Sequence, residues 1–294
     1  MSTRIAFLKG HGTENDFVIV PDPDNAVELT ATAVAALCDR RAGIGGDGLL
    51  HVVRSAAHPE ARHMADEAEW FMDYRNADGS IAEMCGNGVR VFARHLQRAG
   101  HVEAGDLAIA TRGGVKKAHI AKPDAQGEAA VTVSMGRAEL PAEQATVTVG
   151  ERSWPALNVN MGNPHAVAFV DDLAHAGALH AAPDTTPATV YPDGVNVEFV
   201  VDRGPGHVAM RVHERGSGET RSCGTGACAV AVAAARRDGR SPSDTGEPAT
   251  YRVDLPGGTL VITERTDGGI EMTGPAVIVA EGEITPEWIE TRIA

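Results

Sequence analysis

One turn occurs twice in this chain, and that repeat constrains the fold more than any other feature. Residues 83–89 contain Cys85-Gly-Asn-Gly, and residues 221–227 contain Cys223-Gly-Thr-Gly. Each turn opens an apolar stretch of helical length, and each follows a Gly/Ser turn at the same offset from its cysteine. Internal similarity of this kind predicts two copies of one supersecondary unit. We therefore expect two similar halves, each with a cysteine at the start of a helix.

The remainder of the chain predicts mostly short strands, because apolar runs alternate with glycine and proline turns. Helices are predicted over residues 31–41, with Thr30 as N-cap, and within residues 174–189. The predicted strands cover residues 17–20, 49–53, 70–75, 130–134, 145–149, 156–160, 166–170, 195–201, 207–213, 251–255 and 258–263, the last two as a hairpin. Residues 55–69 are predicted to form a surface excursion.

The expected architecture is an α/β (α+β) chain of two pseudo-symmetric domains. The first half comprises residues 1–135 and carries Cys85, and the second comprises residues 136–274 and carries Cys223. Residues 275–294 can return to either half, and they can complete the first one.

Composition excludes several classes of function. The formal net charge of −14 argues against a nucleic-acid surface, which needs a basic patch to neutralise phosphates. A spanning helix needs about 20 consecutive apolar residues, and the longest apolar run is about half of that. The first residues lack the features of a secretory signal. We expect a cytoplasmic protein with reduced cysteines and no membrane or nucleic-acid partner.

The position of the two thiols predicts reactive cysteines. Glycines beside each cysteine allow a sharp bend and close approach of a ligand. The first N–H groups of a helix lack internal partners and, with the helix dipole, form an anion site. Such a site is expected to lower the pKa of Cys85 and Cys223 and to bind a carboxylate. Cys38 and Cys228 lie within Ala-rich helical stretches, where we expect core residues.

Two thiols on opposite faces of one α-carbon can invert it. One thiolate removes the α-proton while the opposite thiol returns a proton, and the reverse reaction exchanges their roles. Helix N-terminal N–H groups can stabilise the planar carbanionic intermediate, as preorganised donors do in oxyanion holes. No pyridoxal site or metal-ligand spacing is evident in the sequence, so we expect no cofactor and no metal.

Other polar residues have two interpretations on physical grounds alone. A histidine at a strand start is more often structural, Glu-Arg neighbours are more often a surface pair, and asparagines often form turns. These alternatives apply to His165, Glu214, Arg215, Asn15, Asn76 and Asn196.

Several motifs, in order along nearly the whole chain, resemble the diaminopimelate epimerase family. They are residues 11–17 (HGTENDF), 76–80 (NADGS) with 84–88 (MCGNG), 162–165 (GNPH), 195–197 (VNV), and 214–220 (ERGSGET) with 223–226 (CGTG). The block around Cys223 is the most diagnostic of them.

This resemblance implies interconversion of LL- and meso-2,6-diaminopimelate for lysine and peptidoglycan precursors, without a cofactor, by a homodimer. It also implies two domains, each a mostly antiparallel sheet wrapped around a central helix. His165 and Glu214 would tune the thiol pKa values. The implied substrate-binding residues are Asn15, Asn76, Gly86, Asn87, Asn163, Asn196, Glu214, Arg215, Gly224 and Thr225.

One departure and three alternatives remain. Many members of the family carry a substrate-binding Gln where this chain has Gly48, so that contact is not carried over. Proline racemases and hydroxyproline epimerases resemble the family but usually have His where this chain has Asn87. Phenazine-type isomerases lack the thiol pair. A redox or metal-binding module would need further ligands close to Cys85 and Cys223.

Overall fold

The computed structural model describes residues 4–125 and 127–292. Within these ranges the chain forms eighteen strands and five α-helices. Its contacts divide it into two compact units. Unit 1 comprises Met1–Val133 with Gly274–Ala294, and unit 2 comprises Ser134–Thr273. None of the described helices is long and apolar enough to cross a membrane.

The strands of unit 1 are β1 (Ile5–Gly12), β2 (Asn15–Pro21), β3 (Gly48–Arg54), β4 (Trp70–Asn76), β5 (Gly105–Ala110), β6 (Lys116–Ile120), β7 (Val131–Arg137) and β18 (Val277–Ile284), and β7 continues past the unit boundary at Val133. They are hydrogen-bonded in the order β18-β1-β2-β3-β4-β5-β6-β7. All pairs are antiparallel except β2–β3 and β4–β5, which are parallel.

Unit 2 repeats this pattern with the order β8-β9-β10-β12-β13-β15-β16-β17, again with two parallel pairs, β10–β12 and β13–β15. Two short strands, β11 (Asp184–Thr186) and β14 (Gly218–Thr220), add to β8 and β13. The main strands are β8 (Ala145–Val149), β9 (Arg152–Asn160), β10 (Pro164–Phe169), β12 (Asn196–Gly204), β13 (His207–Glu214), β15 (Ala249–Leu255), β16 (Gly258–Glu264) and β17 (Gly269–Gly274). The predicted hairpin is β15–β16.

Each sheet wraps around one helix. Helix α2 (Gly86–Arg98) packs on β1, β2, β3, β4, β6 and β18, and α3 (Gly224–Arg237) packs on β9, β10, β12, β13, β15 and β16. Both helices are buried over most of their length, and the buried stretch 227–235 of α3 consists of alanine and valine apart from Cys228. The predicted fold class, a mostly antiparallel sheet around a central helix in each half, is confirmed.

The first helix, α1 (Ala31–Cys38), is shorter than predicted. Thr30 is its N-cap, as expected, and accepts a hydrogen bond from the Ala33 N–H at 3.2 Å. The helix ends three residues early because the Asp39 carboxylate accepts the N–H groups of Arg41 and Ala42, both at 2.7 Å. Those bonds favour a turn over another helical turn.

The helix predicted within residues 174–189 is wrong. The segment instead contains 3₁₀ turns over Leu173–Ala176 and Ala188–Val190, separated by β11. Gly177 and Leu179 both adopt positive φ, and Pro183 and Pro187 lack N–H donors, so a continuous helix cannot form here despite the alanines.

The predicted surface excursion at residues 55–69 is two 3₁₀ turns, Ser55–Ala57 and Arg62–Met64. Although the sequence of this segment is largely polar, its Ala61 and Ala68 are buried and pack against Phe71 in a small apolar cluster. Two further helices, α4 (Pro242–Thr245) and α5 (Pro286–Arg292), complete the described chain.

Candidate active site

Both repeated cysteines are the N-cap residues of the central helices, as the sequence predicted. Cys85 and Cys223 have extended backbones, and each sulfur accepts a hydrogen bond from the third N–H of its helix. The Gly88 N–H lies 3.4 Å from the Cys85 Sγ, and the Gly226 N–H lies 3.3 Å from the Cys223 Sγ. Each sulfur therefore occupies the position that a Ser or Asp oxygen takes in an ordinary helix cap.

Cys85 lies among amide groups. Its Sγ is 3.6 Å from the Asn15 Oδ1, and the same oxygen accepts a hydrogen bond from the Asn87 side chain at 3.2 Å. Asn15 in turn donates to Asp47 at 2.8 Å. Three of the residues that the sequence singled out, Asn15, Cys85 and Asn87, are thus in direct contact, and Gly86 is the buried first residue of the same helix.

Ion pairs hold the strand that carries Asn15. Asp16 accepts hydrogen bonds from Arg40 at 2.7 and 2.9 Å and from Lys9, and Arg40 also reaches Asp47 at 2.6 Å. Burial opposes ionisation of Asp16, but the hydrogen bonds and charges of Arg40 and Lys9 outweigh it and hold its pKa well below the usual range. The ion pairs of Asp16 and Asp47 therefore hold the start of β2 in place, and with it the side chain of Asn15.

Asn76 ends β4 and is oriented by its neighbours. Its side chain donates to the Ser80 hydroxyl at 2.9 Å and accepts a hydrogen bond from the Tyr74 hydroxyl at 3.1 Å. Tyr74 also explains the departure at Gly48. A Cβ on Gly48 would lie 2.8 Å from the Tyr74 ring and 2.6 Å from the Arg75 carbonyl oxygen, so a side chain there would force the ring and the backbone to shift.

Cys223 has a very different environment, because it is buried beside carboxylates. Its Sγ lies 3.6 Å from the Thr225 hydroxyl. Burial raises the pKa of Cys223 well above its ordinary value, and the carboxylates of Glu214 and Glu198 raise it further. The hydrogen bonds from Thr225 and Gly226 act in the opposite direction but do not prevail. The expectation that the helix N-terminus would lower the pKa is therefore wrong for Cys223.

His165 is fully buried and bonded at both ring nitrogens. Its Nδ1 lies 2.6 Å from the Glu198 Oε1 and its Nε2 lies 3.1 Å from the Asn163 Oδ1. Glu198 is also fully buried, and burial raises its pKa while His165 opposes that shift. These contacts bring Asn163 and His165 together with a glutamate that the sequence did not single out.

Asn196 and Arg215 form a second contact in unit 2. The Asn196 side chain donates to the Pro164 carbonyl oxygen at 3.2 Å and accepts the Arg215 N–H at 2.9 Å. Arg215 then reaches the Asp193 carbonyl oxygen at 3.2 Å, and Glu214 accepts a hydrogen bond from Thr220. Gly224 and Thr225 form the half-buried first turn of α3 beside Cys223.

Glu198 is the residue of this site that the sequence analysis missed. It lies within β12, between Val197 and Phe199, and was included in a predicted apolar strand. A charged residue in the middle of an otherwise apolar run was the available signal, because a buried carboxylate needs a partner.

The other two cysteines are core residues, as predicted. Cys38 is the last residue of α1, where burial raises its pKa to about 11, and Cys228 is completely buried in α3. Across residues 4–125 and 127–292, no three His, Cys, Asp or Glu side chains are grouped so that they could hold a metal ion.

Solved structures that share this fold define the structural class of the chain. A phenazine biosynthesis protein of the PhzF family from Bacillus anthracis matches with a TM-score of 0.67 and 16% identity, covering 96% of this chain and 99% of that one. A hydroxyproline epimerase from Agrobacterium vitis matches with a TM-score of 0.61 and 16% identity, covering 96% and 92%. At these identities, the likeness concerns the fold alone.

The sequence identifies the family within that class. The family model described as diaminopimelate epimerase matches residues 7–141 and 157–279. A diaminopimelate epimerase from Streptomyces coelicolor is 79% identical over 294 residues, covering all of both chains. Another from Mycolicibacterium smegmatis is 47% identical, covering 96% of this chain and 97% of the relative. The chain belongs to the diaminopimelate epimerase family.

Proposed function

We propose that this enzyme interconverts LL- and meso-2,6-diaminopimelate by proton transfer through Cys85 and Cys223. The observation that carries the proposal is that both sulfurs cap a central helix, each held by the third helical N–H, in two halves with the same strand order. Membership of the family supports the substrate, and the repeated strand order of the two halves supports an equivalent role for the two thiols.

In the proposed reaction, one cysteine acts as a thiolate and the other as a thiol. The thiolate takes the α-proton, and the electron pair left on the α-carbon delocalises into the substrate carboxylate. The opposite S–H then donates its proton to the other face of that carbon. The net change is inversion at one centre, and the reverse reaction uses the same atoms with the roles of the two sulfurs exchanged.

Substrate recognition is proposed for the polar residues beside each cysteine. The backbone N–H groups in the first turns of α2 and α3, at Gly86, Asn87, Gly224 and Thr225, are suited to a carboxylate, because a helix N-terminus favours negative charge. Amide and charged groups recognise the remaining amino and carboxyl groups of the substrate. They are Asn15, Asn76, Asn163, Asn196, Glu214 and Arg215, while His165 and Glu214 are proposed to tune the pKa values of the thiols.

The domain division, the assembly and the location are part of the proposal. The two epimerase halves are residues 1–135 with 275–294 and residues 136–274. Family resemblance supports a homodimer acting in the cytoplasm, with no cofactor, metal, nucleic acid or membrane partner. Light scattering at several protein concentrations tests the dimer, since a monomer at all of them would contradict it.

The decisive experiment is solvent-isotope incorporation. LL-diaminopimelate is incubated with the enzyme in deuterated water and sampled during the first turnovers. With two separate thiols, the proton removed stays on one sulfur while deuterium arrives from the other. Product should therefore carry deuterium at the inverted carbon from the start, while recovered substrate stays largely protiated.

Two outcomes would contradict this mechanism. Abundant unexchanged product would indicate one base that returns the proton it removed. Deuterium at both α-carbons would show that the second stereocentre also reaches the thiols. L-proline serves as the control substrate, and its racemisation would favour the proline racemase alternative.

A further inference from the structure

The strand registers define which residues of the two units are equivalent. The parallel pair β2–β3 aligns Phe17 with Gly48, and the parallel pair β10–β12 aligns His165 with Asn196. In unit 1, the antiparallel pair β3–β4 aligns Gly48 with Asn76. In unit 2, the antiparallel pair β12–β13 aligns Val197 with His213, which places Asn196 opposite Glu214. Asn76 and Glu214 stand the same number of positions before their cysteines. By this register, His165 is equivalent to Phe17 and Glu198 to Leu50.

These equivalent pairs lie beneath the two cysteine turns. A Cβ on Gly88 would lie 3.2 Å from Leu50 and 3.7 Å from Phe17. A Cβ on Gly226, the equivalent glycine, would lie 2.8 Å from the Glu198 Oε1 and 3.2 Å from the Cys223 Sγ. The floor of the turn is therefore apolar in unit 1 and a histidine–glutamate pair in unit 2. Since the same fold accepts leucine at this position, the backbone does not require the glutamate.

Three titratable groups interact with Glu198. His165 on β10 binds its Oε1, Glu214 at the end of β13 adds a second carboxylate, and Tyr191 contributes only a hydroxyl group. The Glu198 Oε2 has no hydrogen-bond partner within the described part of the chain. The Glu198 Oε1 thus faces the Gly226 turn, beside the Cys223 sulfur.

We propose that Glu198 is a positioning residue that orients His165 and makes Cys223, rather than Cys85, the sulfur that stays protonated between turnovers. This inference rests on the proposed two-thiol function and assigns its resting state. Wherever the proton lies along the 2.6 Å contact with His165, the carboxyl group is the electron-rich end of the pair. Its Oε1 lies against the Gly226 turn that holds the Cys223 sulfur, so it disfavours ionisation of that sulfur.

The test is site-resolved alkylation. Wild-type enzyme is treated with iodoacetamide across a pH series, and mass spectrometry follows Cys85 and Cys223 separately. The alkylation midpoint of Cys223 should lie at least about 1 pH unit above that of Cys85, because a thiolate near a carboxylate is disfavoured. This measurement needs neither substrate nor a variant, so it stands even if the isotope experiment fails. Equal midpoints, or a higher one for Cys85, would overturn the proposal.

Glu198→Gln isolates the carboxylate, since it keeps the size and a hydrogen bond to His165. We expect the Cys223 midpoint to fall by about 1 pH unit, with Cys85 unchanged. The alkaline limb of the kcat/KM profile should move in the same direction, because that profile reports the free enzyme. Glu198→Asp retains the charge and should restore the wild-type midpoint.

Glu264→Gln is the matched control. Glu264 is another buried glutamate of unit 2 that contacts the same helix, binding Arg236 at 2.5 and 2.6 Å at the far end of α3. Its loss should lower stability but leave the Cys223 midpoint in place. A purely structural role for Glu198 would predict the same result for Glu198→Gln. A Cys223 midpoint that stays unchanged in folded Glu198→Gln, or that moves equally in the control, would refute the assignment.

Discussion

The two cysteine turns share a backbone and differ in almost everything around it. Cys85 is half-buried among the amides of Asn15 and Asn87, above Phe17 and an apolar floor. Cys223 is buried beside Glu214 and above the His165–Glu198 pair. A duplicated fold has thus kept the sulfur–helix geometry while separating the electrostatics of its two copies. The comparison teaches that one backbone turn can hold a cysteine among amides in one copy and among carboxylates in the other.

The largest expected effect comes from removing either sulfur. Cys85→Ala and Cys223→Ala should each reduce epimerisation by about 10³-fold or more, and the double variant should be little worse, since groups that act as one unit are not additive. Coupled assay of meso-diaminopimelate formation measures it. Cys38→Ala, in the core of unit 1, is the control and should keep most activity. A folded Cys85→Ala or Cys223→Ala variant with substantial turnover would remove that thiol from the mechanism.

A second test copies the floor of unit 1 into unit 2. His165→Phe alone should cost about 3–5 kcal/mol, because it leaves the buried Glu198 carboxylate without its partner. Adding Glu198→Leu recreates the Phe17–Leu50 arrangement, and a buried pair replaced by apolar residues is often neutral or stabilising. Urea unfolding should therefore show recovery of most of the loss in the double variant, although turnover stays low. A double variant less stable than His165→Phe would show that the apolar pair of unit 1 cannot replace the His165–Glu198 pair of unit 2.

A smaller effect is expected from exchanging the residues at the equivalent positions 48 and 196. Gly48→Asn would push a Cβ against the Arg75 carbonyl and the Tyr74 ring, and overpacking of this kind typically costs about 1–3 kcal/mol. Asn196→Gly is the partner variant and should lose about 1 kcal/mol with its two hydrogen bonds. Thermal unfolding compares them. A Gly48→Asn protein as stable as wild type would show that Tyr74 can move aside.

The sequence predicted those parts of the fold that local pattern decides. Most strands extend the predicted apolar runs by a few residues, and the hairpin at β15–β16 and the N-caps at Thr30, Cys85 and Cys223 are where glycines, prolines and capping residues placed them. The end of α1 was less predictable, because Asp39 competes for the N–H groups of the following turn. In residues 174–189 the alanine content predicts a helix, but the prolines and the positive φ angles of Gly177 and Leu179 prevent one.

The electrostatics of the site could not be predicted from motifs. Helix N-termini favour thiolates, but the pKa of Cys223 is raised, because burial and two carboxylates outweigh the hydrogen bonds from Thr225 and Gly226. Burial and the proximity of Glu198 depend on strand register, which aligns residues distant in sequence. For the same reason, the contact between Tyr74 and Gly48 could not be predicted, because it depends on the pairing of β3 with β4.

The pairing of β18 with β1 has a consequence for biosynthesis. Unit 2 is continuous in sequence, whereas the edge of the unit 1 sheet beside β1 is supplied by residues that follow unit 2. During translation the ribosome therefore releases every strand of unit 2 before it releases β18. The backbone groups of β1 that await β18 remain an open edge during that interval, the kind of edge that invites wrong partners. The half that is translated first is the half that must wait longest to close.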